Sequence, residues 1–116
     1  MNEGDPAQQL LICDIRPDFK GNPFITFWRA KNSGYSYPLS WAGDYTPEIV
    51  ENSWLYYHTV EAGSLIRFAV LRSVAEQLAI PTQPRTIDGD AGPVIVNKLT
   101  FRCKLLEAAY ISRTPR

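Results

Sequence analysis

The 116-residue chain is predicted to fold as one α+β domain. The expected architecture is a small antiparallel sheet of three to four strands with two to three short helices on one side. Three observations lead there. Two strand-like runs, Gln8–Ile15 and Phe24–Arg29, are joined by a short turn-rich stretch with no room for a crossover helix, so they should pair antiparallel. The elements then follow in the order β-β-α-β-α-(β)-α. Hydrophobic residues make up 45% of the chain, enough for a sizeable core at this length.

Each element has a local cause. Residues 1–7 are polar and read as a loose tail, as does the stretch from about 112 to 116. In Gln8–Ile15, Leu11, Cys13 and Ile15 alternate with Leu10 and Ile12, so both faces are apolar and the strand should be central. Arg16–Pro23 holds two prolines, Asp18, Gly21 and Asn22, which favour turns. Phe24–Arg29 is rich in aromatic and β-branched residues. Thr46 followed by Pro47 and Glu48 marks a helix start, with the helix ending near Asn52. Trp54–His58 fits either a helical extension or a short strand. Leu65–Val70 reads as a strand with Ile66, Phe68 and Val70 on one face and Arg67 on the other. Leu71, Val74, Ala75 and Leu78 have helical spacing, and Pro81 stops that helix. Val94–Val96 is a short apolar run. The last helix is expected to be capped by Asn97, with Leu99, Cys103, Leu106 and Tyr110 as its inner stripe, widened by Leu105 and Ala109.

Composition narrows function by exclusion. Twelve basic residues balance twelve acidic ones, which disfavours a phosphate-tracking nucleic-acid groove and makes self-association as a homodimer easier. Two cysteines read as buried thiols in a reducing compartment, and with one histidine they offer no zinc spacing. No apolar run reaches the ~20 residues of a membrane helix, and the polar N-terminus does not read as a signal peptide. A cytoplasmic protein is expected, without metal or cofactor.

The segment Trp28–Thr46 concentrates the chain's binding chemistry. It holds two Trp and three Tyr together with Arg29 and Lys31, broken by Gly34, Pro38 and Gly43. This composition reads as a structured loop that either plugs a core edge or presents rings to a partner. Trp28, Trp41 and Tyr45 are expected to anchor it. Arg29, Lys31, Tyr35, Tyr37 and Trp41 are the candidate binding residues, since Trp, Tyr and Arg dominate binding hot spots. Asp88 and Asp90, flanking Gly89, join the candidate set as an acidic turn beside that loop. His58 is a conceivable general base with Asp88 or Asp90, although no nucleophile motif or phosphate cradle accompanies it.

The string W-R-x4-G-Y-S-x2-L-x2-A-G-x-Y, here Trp28 to Tyr45, resembles a pattern in a family of small uncharacterised phage and prophage proteins. The resemblance implies an accessory gene of a phage or mobile element, acting in the host cytosol on host machinery, defence systems included. The expected function is a non-enzymatic binding module that engages a host protein through the aromatic loop. Two alternatives stand beside it: a small-molecule or nucleotide-binding protein using the same loop, and a small enzyme using His58 with the acidic loop.

Overall fold

A computed structural model describes residues 9–81 and 92–112. Its strands are β1 (Leu10–Asp14), β2 (Thr26–Trp28), β3 (Tyr35–Ser36), β4 (Thr59–Glu61) and β5 (Ser64–Leu71). Its helices are α1 (Pro47–Asn52), α2 (Trp54–Tyr57), α3 (Arg72–Leu78) and α4 (Leu99–Glu107). All strand pairs are antiparallel, in the order β3-β2-β1-β5-β4. The class is therefore α+β as predicted, with five strands and four helices among the described residues rather than the smaller numbers expected.

The central place of β1 follows from its sequence. All five of its residues are buried. Leu11 and Cys13 pack with Phe27, Phe68 and Val70 in one cluster, which Ala75 of α3 and Leu105 of α4 close. Leu10 and Ile12 pack with Trp28, Tyr45 and Ala69 in a second cluster, closed by Val50 of α1 and Tyr57 of α2. The helices thus cover both faces of the sheet, not one as predicted. A strand that is apolar on both faces needs cover on both.

Two strands escaped the sequence reading. β3 lies inside the aromatic segment and pairs with β2 through Trp28↔Tyr35 and Phe27↔Ser36. β4 pairs with β5 across a two-residue turn, where Ala62 and Gly63 take φ of 52° and 82°. Positive φ at both turn positions marks a type I′ hairpin, whose usual signal is Asn-Gly rather than Ala-Gly. Trp54–Tyr57 resolves as helix. Val94 and Val96 make single bridges, to Ile80 and Phe24.

The Thr46 cap forms as expected, its Oγ1 accepting the Ile49 N–H at 3.2 Å. The last helix differs. It starts at Leu99 after Lys98, and Asn97 stays outside it. The Asn97 amide nitrogen instead lies within 3.2 Å of the carbonyl oxygens of Phe19, Lys20 and Asn22, tying down the turn after β1. Leu105 is the buried residue of α4, while Leu99 and Cys103 face solvent. The inner stripe is rotated toward the widening positions: Leu105, Leu106 and Ala109 meet the core as expected, joined by Phe101, and Leu99 and Cys103 do not.

Both cysteines are free, and Cys103 is exposed, which corrects the expectation of two buried thiols. Burial, with the neighbouring Asp14 carboxylate, pushes the Cys13 thiol well above its ordinary value. In native protein, a thiol reagent at pH 8 should modify Cys103 quickly and leave Cys13 intact until denaturant is added. Mass mapping of the labelled peptides checks this; rapid labelling of Cys13 would contradict its burial.

Candidate binding site

The aromatic segment is built as an edge. β2 ends at Trp28, the chain turns at Ala30–Asn32, and β3 returns alongside. Lys31 and Asn32 take φ of 58° and 57°, a left-handed pair at the tip. Two tyrosines hold that tip. Tyr45 donates its hydroxyl hydrogen to the Arg29 carbonyl and accepts the Asn32 N–H at 3.2 Å. Tyr57 donates to Asn32 Oδ1 at 3.1 Å. Burial raises the Tyr45 phenol above its ordinary value, so it stays a neutral donor at physiological pH.

Trp28 and Tyr45 are buried anchors, as expected. Trp41 is not: it is 37% exposed. The Arg29 guanidinium lies over its ring, 4.5 Å from the centroid. Arg29 Nε also donates to the Tyr35 carbonyl oxygen at 3.0 Å. Tyr35 is 46% exposed and makes edge contacts with Phe19 and Trp28. Tyr37 is half-buried with its ring edge-on to Phe24, at 5.7 Å between centroids.

These side chains line one open cleft of about 300 Å³. Arg29, Tyr35, Tyr37 and Trp41 contribute to it together with Phe19, and the buried Thr26, Ser36 and Pro38 lie deeper. Four candidates from the sequence therefore converge. Lys31 does not join them; it sits exposed at the tip of the turn and does not line the cleft. Asp88 and Asp90 lie outside the described residues.

A second groove, of about 360 Å³, runs past Leu99, Cys103 and Leu106. Its Arg102 is already engaged, donating to Asn97 Oδ1 at 2.6 Å. Among the described residues, no cluster of three His, Cys, Asp or Glu side chains converges as a metal set.

Next to the cleft lies a charged centre that the sequence reading missed. Asp14 ends β1 with its side chain fully buried. Arg16 grips both its carboxylate oxygens, Trp28 Nε1 donates to it at 3.0 Å, and Arg67 approaches to 3.4 Å. Arg67 also lies over the Trp28 ring, 4.7 Å from its centroid. Burial works to raise the Asp14 carboxyl, but the hydrogen bonds from Arg16 and Trp28 outweigh it and hold it below the ordinary carboxylate range. The Arg16 fork reaches onward to the Tyr35 hydroxyl at 3.2 Å, linking this centre to the cleft wall. The available signal was an acidic residue closing an apolar strand, with Arg67 predicted on the strand face opposite Ile66, Phe68 and Val70.

His58 is part of the scaffold. It is buried and stacked on Trp54, with centroids 3.7 Å apart. Its Nδ1 lies 3.2 Å from the Trp54 carbonyl oxygen, and Nε2 accepts the Ala69 N–H at 3.3 Å. Both ring nitrogens are thereby engaged with backbone. Neither of its expected acidic partners lies among the described residues.

No family model, curated protein or solved structure matches this chain. Among the described residues, no helix is long and apolar enough to cross a membrane.

Proposed function

We propose that the chain is a non-enzymatic binding module of phage or prophage origin. In this reading it engages a protein of the host cytosol, such as a defence-system component, through the cleft beside β3. One observation carries the binding part: Arg29, Tyr35, Tyr37 and Trp41 line one cleft. Tyr, Trp and Arg are the side chains that supply most interface energy, because each offers a large rigid area with a polar handle. The phage or prophage origin rests on the Trp28–Tyr45 resemblance alone.

The cleft volume sits at the lower end of the roughly 300–1,000 Å³ of ligand pockets. It suits one large side chain from a partner better than an extended cofactor. A peptide-display selection against the chain, counter-selected on an Arg29→Ala/Tyr37→Ala variant, tests the reading. Enriched peptides should bind the parent at least about tenfold more tightly than the variant, with both proteins melting within a few degrees. Failure to enrich any sequence, or equal binding by the variant, would remove the cleft from the function.

A further inference from the structure

We infer that the occupant of this cleft is an acidic segment of a protein partner, inserting one aromatic side chain while a neighbouring carboxylate is held by Arg29. This rests on the binding reading above and specifies its ligand.

The other described arginines are already engaged by side chains of the fold. Arg16 and Arg67 are paired with Asp14, Arg72 with Asp44 and Glu76, and Arg102 donates to the side-chain oxygen of Asn97. Arg29 donates to no side chain among the described residues: no carboxylate lies within ion-pair distance of it, and none lines the cleft. Yet its guanidinium is held in place. Nε is committed to the Tyr35 carbonyl oxygen, and the face is committed to the Trp41 ring. That leaves the edge formed by its two terminal nitrogens without a hydrogen-bond acceptor among the described residues. That edge matches the two oxygens of a carboxylate approaching end-on. Because Trp41 and the backbone already fix the fork, little side-chain entropy remains to be lost on binding.

The rings supply the second half of the recognition. Tyr35 and Trp41 stand exposed at the cleft, and a ring between them can meet edges and faces at favourable offsets. A nucleotide fits less well. Its phosphate carries up to two charges and would meet one guanidinium, with no glycine-rich run of backbone N–H groups lining the cleft.

The test is an NMR titration of the full chain with capped pentapeptides centred on Glu-Trp-Glu, Gln-Trp-Gln, Glu-Ala-Glu and Lys-Trp-Lys, and with AMP. Glu-Trp-Glu should shift the amides of Arg29, Tyr35, Tyr37 and Trp41. It should bind about tenfold more tightly than Gln-Trp-Gln, with Lys-Trp-Lys and Glu-Ala-Glu weaker still. Arg29→Gln should erase the difference between the Glu and Gln peptides, and Arg29→Lys should retain only part of it. Equal binding of Glu-Trp-Glu and Gln-Trp-Gln by the parent would overturn the acidic preference while leaving the binding reading in place. If no peptide shifts the cleft amides, both fall. AMP shifting them in the absence of any peptide effect would replace the peptide by a nucleotide.

Discussion

Asp14→Ala is expected to destabilise the chain by about 3 kcal/mol, lowering the melting temperature on the order of 10 °C. The carboxylate is the sole ion-pair partner of Arg16 and Arg67 among the described residues and also accepts the Trp28 indole N–H. Removing it leaves two neighbouring cations uncompensated and one buried donor unpaired. Repulsion between the guanidiniums then loosens the junction of β1, β2 and β5, because Asp14 faces Thr26 on one neighbour and Arg67 on the other. The pH dependence has a definite sign. A carboxyl held below its ordinary value in the folded state stabilises the fold above that ordinary value, about 4, and loses the contribution as pH falls toward the folded value. Melting curves from pH 7 to 2.5 should show the parent losing stability below about 4. Asp14→Asn should start lower and lose less over the same interval. An identical acid slope in both proteins would show that Asp14 is not the titrating group.

Gly43→Ala should produce a loss of similar size for a steric reason. A Cβ built on Gly43 would lie inside contact distance of the backbone N and Cα of Ala30, nearer than real Cβ atoms come. The approach is close because the Gly43 N–H donates to the Trp28 carbonyl oxygen at 3.0 Å, drawing the end of the aromatic segment against its beginning. Backbone cannot swing aside as a flexible side-chain tip can. The added methyl must therefore break that hydrogen bond or displace the Ala30–Asn32 turn. Overpacking of this kind costs about 3 kcal/mol. Gly21→Ala is the control, since a Cβ there meets nothing within 4 Å and Gly21 has no positive φ. Chemical denaturation of both variants separates the cases: a midpoint near the parent for Gly43→Ala would mean the segment is not closed on itself. Because the same turn carries Arg29 into the cleft, Gly43→Ala should also weaken peptide binding.

Legibility in the sequence followed the range of the forces involved. The Thr46-Pro47 helix start was readable because a cap and its first turn lie within four residues. Pairing of β1 with β2 was readable because the connection leaves the chain no other course. β4 was not, since Ala62 at a positive φ has no local preference for it; only pairing with β5 holds it there. The rotation of α4 was equally hidden. Its sequence offers apolar residues on more than one face, and the choice of Leu105 over Cys103 is made by the sheet beneath.

The candidate site divides the same way. Ring density and the position of Arg29 were visible in the chain as written, and four of the selected residues share the cleft. Lys31 was visible too, but it sits in the left-handed turn at the tip of the loop and does not line the cleft. Trp41 was expected underneath and is found at the surface beneath Arg29.

By itself, the sequence determined the α+β class, the buried central strand and the segment in which aromatic and cationic side chains are concentrated. Short-range preferences and period-two alternation decide those features. Only the tertiary structure decided that both sheet faces are covered, that Asp14 collects two arginines from separate strands and turns, and that Arg29 is fixed on Trp41 facing a cleft. Each of these depends on groups far apart in sequence meeting at one point, and no local preference encodes such a meeting.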